Sequence, residues 1–337
     1  MIYPEFIKEN GCIGVPAPSA GAGDELRQNS MHKAKERLEK LGFKLKLSKN
    51  LYNDIRGRSA TAIERANEIN DMFQSKDIDM LLCASGGEFL IEMLPFVNFE
   101  LIKSNPKFVA GFSDPTGLLY PITTKYDIAT IYGNNFKSFG HDELFKSEKD
   151  FLEIIKGNLL EQHSYELFEE TPFQKVTGTE PYNLNEKVYW RTLDDKEVSV
   201  NGRIIGGCFD IIAELAGTKY DGIKEFNEKY KEDGIIWYFD NCELSMEETI
   251  RTLWKLNELD YFKYTKCVIF GRFGVNNSYY DYDVKSCLED SVLGTINVPI
   301  IYDADISHKA LSFTIINGSI ANVNVKDGKG TISFELK

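Results

Sequence analysis

Histidine is scarce in this chain: His32, His141, His163 and His308 are the only four among 337 residues. Any mechanism that needs an imidazole has few places to find one. Cysteine is sparse too, with Cys12, Cys83, Cys208, Cys242, Cys267 and Cys287 scattered and no C-x-x-C pair. That spacing argues against a zinc site or a disulfide framework and fits reduced thiols in the core of a cytoplasmic protein. No apolar run approaches the roughly 18–20 residues that span a bilayer. The opening Met1-Ile-Tyr-Pro-Glu-Phe-Ile-Lys8 has neither the charged nor the apolar region of a secretory signal. Dense Lys/Arg runs are also missing, and the formal net charge is −13. An acidic surface repels nucleic acid polymers and anionic membranes, so neither is expected as a partner. The fingerprints G-x-x-x-x-G-K-[ST], H-E-x-x-H and G-x-G-x-x-G do not occur, and no cofactor or metal is expected.

What is present describes a soluble globular protein, 42% hydrophobic and 27% charged, long enough for two domains. The first half alternates short apolar runs with helical patterns, which predicts a parallel α/β sheet. Strands are expected at Cys12–Ala17, Phe43–Leu47, Met80–Cys83, Phe108–Phe112 and Ile128–Tyr132. Helices are expected near Asp24–Leu41, Ala60–Phe73, Phe89–Leu94, Pro115–Thr123 and Ser147–Lys156. The pattern weakens between Ser164 and Gly202. Beyond it come a strand at Gly234–Phe239, a helix opened by the capping box Ser245-Met-Glu-Glu248, and a strand at Val298–Tyr302. The Asn317-Gly318 and Asp327-Gly328 turns predict antiparallel hairpins in the tail. The fold class is thus α/β: an N-terminal parallel α/β domain over residues 1–164, then a smaller strand-rich α+β domain over 165–337.

Three strand ends of the first domain carry turn-forming residues: Pro16–Gly21, Ala84–Gly87 and Gly111–Asp114. All three are expected on the carboxyl edge of the sheet, where open α/β sheets bind ligands. The third holds the chain's most pointed feature. Lys107–Phe112 ends in Gly111-Phe-Ser-Asp114, with Asp114 expected as N-cap and Pro115 as the first helical residue. Ser113 is then a hydroxyl on a sharp strand-to-helix turn, beside amides able to hold an oxyanion. The commonplace alternative is a capped turn with an ordinary serine. A serine nucleophile needs a base, and His308, in the loop after Val298–Tyr302, is the best placed of the four histidines. The orienting acid would come from Trp237-Tyr-Phe-Asp240-Asn-Cys-Glu243, where spacing does not choose between Asp240 and Glu243. Gly86-Gly87 offers a second oxyanion donor beside the amide of Asp114.

Taken in order, these pieces resemble the LD-carboxypeptidase family of serine peptidases, which includes the microcin C self-immunity proteins. The resemblance rests on Gly11–Ser19, Gly86-Gly87, Gly111–Asp114, Tyr132-Gly133, Asn201–Gly207 with Leu215–Thr218, Trp237–Glu243 and Asp303–His308. It implies a catalytic triad of Ser113, His308 and Asp240, with Gly87 and Asp114 as backbone oxyanion donors. It also implies a homodimer. Asp240 stands where the family usually carries glutamate, and Glu243 is the alternative acid. Ala84-Ser-Gly-Gly-Glu88 replaces the Arg-Gly-Gly-Tyr-Gly of the cell-wall enzymes and is closer to the microcin-immunity branch. Ser307-His308-Lys309 replaces the usual Gly-His-Gly. The expected substrates are a small peptide, such as a muropeptide, or a peptidyl nucleotide. The rival expectation is a catalytically impaired binding protein for the same ligands. Trp190 and Trp237 are candidates for stacking on a nucleobase, though packing is the more ordinary role for a tryptophan.

Overall fold

The computed structural model describes every residue from Met1 to Lys337. The chain forms two compact units. One comprises Met1–Asn158, Thr171–Asn183 and Thr314–Ile316, and the other Leu159–Glu170, Leu184–Phe313 and Asn317–Lys337.

The first unit is built on a six-stranded sheet in the spatial order Ile315–Asn317, Thr130–Tyr132, Val109–Gly111, Met80–Leu82, Cys12–Val15, Lys44–Leu47. The last five run parallel. Each expected strand is present, trimmed at its ends. Met80–Leu82, Val109–Gly111 and Thr130–Tyr132 are buried at every residue, as a parallel sheet covered on both faces requires. Helix Glu25–Lys40 is capped by Asp24, and Ala62–Gln74 opens on a reciprocal Thr61–Glu64 capping box. The segment expected as a helix near Phe89 is instead a tighter 3-10 helix over Leu90–Phe96, with Pro95 inside it. In chain order the five parallel strands lie 2-1-3-4-5. The connections therefore diverge between Cys12–Val15 and Met80–Leu82, and such a switch point leaves a crevice at the carboxyl ends.

The second unit holds an eight-stranded mixed sheet. Its centre is four parallel strands, Val198–Cys208, Ile235–Asp240, Thr265–Gly271 and Ile300–Ala304. The wings are antiparallel: Ile320–Lys326, Lys329–Glu335 and Gln162–His163 on one side, Arg191–Thr192 on the other. Ser245 caps helix Met246–Glu258 with Glu248 completing the box.

The tail differs in part from its expected hairpins. Asp327-Gly328, both at positive φ, joins Ile320–Lys326 to Lys329–Glu335 as the sequence suggests. Asn317-Gly318 makes no hairpin. Ile315–Asn317 is an edge strand of the first sheet, and the chain turns at Gly318 (φ +84°) to enter the second. Tyr238 Oη donates to Asn317 Oδ1 at 2.8 Å and the Gly318 amide to the Ile204 carbonyl at 2.8 Å, which fixes that turn on the second sheet.

Candidate active site

Ser113 follows the Val109–Gly111 strand by two residues and holds φ at +71°. A left-handed backbone costs a residue with a Cβ roughly 1–2 kcal/mol. The side chain stays partly exposed on this turn, in the strand–turn–helix setting of a nucleophile elbow. Glycine makes the turn possible: a Cβ on Gly111 would lie 2.5 Å from Pro115 Cβ. The helix begins at Thr116, one residue later than expected, with Pro115 at the N-cap. Asp114 does not cap it, because its carboxylate is used elsewhere. Fully buried, it accepts from Ser19 Oγ and from the Leu90 amide at 2.9 Å. Burial holds this carboxyl above the usual range, against the pull of those donors and of Arg65.

Asn135 and Tyr132 brace this turn, and Arg65 ties two neighbouring ones; of these, only Tyr132 stood among the sequence motifs. Asn135 clamps Phe112 from both sides: its Oδ1 accepts from the Phe112 amide at 3.0 Å and its Nδ2 donates to the Phe112 carbonyl at 3.0 Å. Tyr132 Oη accepts from the Ser113 amide at 3.3 Å. Buried Arg65 donates to the carbonyls of Pro18 at 2.7 Å and Phe89 at 2.9 Å, tying the turn after the first strand to that after the third. The one sequence signal for Asn135 is its place just past Tyr132-Gly133. Gly86 lies against the serine, for a Cβ there would stand 2.9 Å from Ser113 Cβ and 3.1 Å from its Oγ. Gly87 follows at φ +153°, closed on its other side by Ser19 Oγ.

In the second unit, Asp240 ends the Ile235–Asp240 strand with its side chain wholly buried. Its Oδ1 accepts from Nδ1 of His308 at 2.9 Å and from the His308 amide at 3.2 Å. A carboxylate only accepts, so Nδ1 carries the proton in this pair. Burial opposes a charged ring. The charge and hydrogen bond of Asp240 outweigh it, with help from the Cys242 thiol, and the His308 pKa is pushed up to about 10. Glu243 is exposed, and its amide donates to Asp210 Oδ1 at 2.8 Å. Asp210 also receives the Cys242 amide at 2.9 Å. It thus pins the turn just beyond Asp240, a role with no mark in the sequence.

The remaining candidates sort plainly. His141 is buried with its ring centroid 4.3 Å from that of Tyr182, and burial pushes its pKa down to about 4. His163 is exposed beside Glu161. Trp190 and Trp237 are at most 1% exposed, so neither can stack on a ligand. Both are core, Trp237 with its indole N–H on the Tyr261 carbonyl at 3.1 Å. No three His, Cys, Asp or Glu side chains gather where they could hold a metal ion, and no helix is long and apolar enough to cross a membrane.

Residues 13–133 match the LD-carboxypeptidase N-terminal domain and residues 201–323 its C-terminal domain, so the chain belongs to the LD-carboxypeptidase family of serine peptidases. It is 30% identical over 198 residues to the microcin C7 self-immunity protein MccF of Escherichia coli, covering 57% of this chain and 58% of that one. Its fold is similar to that of MccF in complex with glutamyl sulfamoyl guanosine, with a TM-score of 0.83, 23% identity and 100% of both chains covered. It is also similar to muramoyltetrapeptide carboxypeptidase from Oxalobacter formigenes, with a TM-score of 0.74, 19% identity and coverage of 96% and 98%. At these identities the two structures speak to the fold alone.

Two outcomes test the geometry. Ser113→Gly relieves the left-handed strain that Ser113→Ala keeps, so the glycine variant should be the more stable by about 1 kcal/mol in urea unfolding. Equal stability would mean that the turn is unstrained. For His308, a folded pKa above the unfolded value means a stabilising contribution that is complete below about 6.5 and lost as pH rises through about 10. The stability gap between the parent protein and His308→Gln should therefore narrow between pH 7 and 10.5. A constant gap would show that Asp240 does not raise the imidazole.

Proposed function

We propose that the chain is a metal-independent serine peptidase that hydrolyses a terminal amide bond, with Ser113 as nucleophile, His308 as base and then acid, and Asp240 as the orienting carboxylate. The observation that carries this reading is the pairing of His308 Nδ1 with buried Asp240 at 2.9 Å, which orients the ring and fixes its tautomer. The strained, braced turn under Ser113 supports it. In this reading Nε2 takes the proton as Oγ attacks the carbonyl carbon, and the amides of Gly87 and Asp114 receive the oxyanion. One such donor is worth about 2.7–4 kcal/mol of barrier. The imidazolium then protonates the departing amine and leaves an acyl-serine. Water, deprotonated by the same nitrogen, attacks the ester to release the acid and restore Ser113. Asp240 fills the place of the family's glutamate although it is one methylene shorter, since its carboxylate already reaches the ring.

The substrate is proposed within the range of the family. One class is a peptidyl or aminoacyl nucleotide cut at its amide or N-acyl phosphoramidate, favoured by Ala84-Ser-Gly-Gly-Glu88 and by the relation to MccF. The other is a peptidoglycan tetrapeptide that loses its terminal D-alanine. The high proton affinity of His308 bears on both. A base raised by its carboxylate must lose a proton before it can accept one from Ser113, so kcat/KM should climb about tenfold per pH unit below the pKa of the base. The same observation motivates the second reading, a binding protein that holds these ligands without turning them over.

The purified chain should release amine from at least one substrate class, and Ser113→Ala and His308→Ala should each lower kcat/KM by about 10³-fold or more with the fold intact. Parent-level hydrolysis by Ser113→Ala would remove serine as nucleophile. Release of D-alanine alone would select the muropeptide, and cleavage of the processed microcin alone the nucleotide conjugate. Tight binding of either with no turnover at any pH, and no labelling of Ser113 by a fluorophosphonate, would establish the binding protein.

A further inference from the structure

We propose that Arg272 and Asp305 are positioning residues for His308, their buried ion pair holding the loop that aims the imidazole at Asp240. The inference rests on the reading of His308 as the base. It begins with the bareness of that loop: from Asp305 to Phe313 the chain forms neither helix nor strand. Its backbone polar groups must then find partners elsewhere. Arg272, just past the Thr265–Gly271 strand and only 4% exposed, supplies several. Its Nη1 donates to Asp305 Oδ1 at 2.6 Å, and its Nη2 donates to the carbonyls of Lys309 and Leu311, each at 2.9 Å. The three acceptors bracket His308 along the chain, one before it and two after.

Asp305 closes the arrangement from the other end. It is fully buried, and its second oxygen accepts from Trp190 Nε1 at 2.9 Å and from the Tyr165 amide at 3.2 Å. Its carbonyl accepts from the Phe313 amide at 2.6 Å, which draws the two ends of the loop together. Ser307 Oγ donates to the Arg272 carbonyl at 2.7 Å and accepts from the Lys309 amide at 2.9 Å. Gly271 leaves no slack beneath, since a Cβ there would stand 1.7 Å from the Ile306 carbonyl oxygen. His308 is thus suspended between fixed points, with Asp240 and the Cys242 thiol as the titratable groups about its ring. A planar, forked guanidinium serves the carboxylate from one nitrogen and the two carbonyls from another, holding them at fixed separations. Lysine offers the charge without the geometry.

A displacement of about 1 Å in a catalytic group can lower a rate about 10²-fold, and loss of the Asp240 contact would return the imidazole toward its ordinary titration near 6.5. The test follows the four imidazoles by NMR in histidine-labelled protein, with the His308 signal assigned by its loss in His308→Gln. In Arg272→Lys and in Asp305→Asn the His308 midpoint should fall by about one pH unit or more while the other three hold. In active preparations kcat should fall about tenfold or more with KM within about twofold. Lys309→Gln, which removes the side-chain contact with Glu170 at 2.8 Å and leaves the Arg272–Asp305 pair untouched, should leave the midpoint in place. An unmoved midpoint in either folded variant would overturn the proposal. Should both fail to fold, Trp190→Phe removes one donor from Asp305 without touching the ion pair. It should move the midpoint in the same direction by a smaller amount, and no movement there would equally overturn it. The titration needs no turnover, so it decides the matter even if no substrate is hydrolysed.

Discussion

The left-handed backbone of Ser113 is the constraint around which the first unit is arranged. An L-residue holds φ near +71° only where its surroundings leave no easier choice. Those surroundings are specific. Asn135 takes both hydrogen-bonding groups of the preceding residue, and Tyr132 takes the serine's own amide. Gly111 and Gly86 give up side chains so that the turn can close. Asp114, next in the chain, is drawn away from helix capping to fasten Ser19 and Leu90. One unfavourable torsion thus organises side chains from four separate strand ends.

The second unit solves a different problem, holding an imidazole against a buried carboxylate on a segment without regular structure. It does so with ions. Asp240 faces His308, Asp210 pins the turn beyond Asp240, and Arg272 with Asp305 anchors the loop on either side of the imidazole. The buried carboxylates Asp240 and Asp305 are tolerated here because each faces a cationic partner and accepts further hydrogen bonds. The cost of such an arrangement is sensitivity: removing one member leaves its partner stranded in a medium that solvates it poorly.

Much of this was legible in the sequence, and the reason is local. Apolar runs ended by Gly, Pro and Ser mark strand ends whatever packs around them, so the five parallel strands and their turns could be read directly. Ser113 stood out because Gly-Phe-Ser-Asp-Pro is a strand-to-helix junction in any context, and His308 because histidine is so rare here. Choosing Asp240 over Glu243 needed a family resemblance, since both lie near one strand end and only the fold shows which side chain is buried against the ring. Arg65, Asp210 and Arg272 were illegible, and Asn135 was marked only by its place just past Tyr132-Gly133. Each acts through partners far away in sequence, and an isolated polar residue carries no mark of the carbonyl it will meet. Asp114 misled for the complementary reason. Its local role as a cap was plausible, but a distant serine and a distant amide outcompeted the helix end. Trp190 and Trp237 are core for the same reason that tryptophans usually are.

The edge strand Ile315–Asn317 has a consequence for how the protein comes into being. It completes a sheet whose other five strands are encoded in the first 132 residues, so the earliest part of the chain to be made waits for almost the last. Until then that sheet presents an open edge at Thr130–Tyr132, an invitation to pair with a neighbouring chain. Birth on the ribosome is therefore the moment at which this architecture is most exposed to its own copies, and slow synthesis of the intervening 180 or so residues lengthens that window.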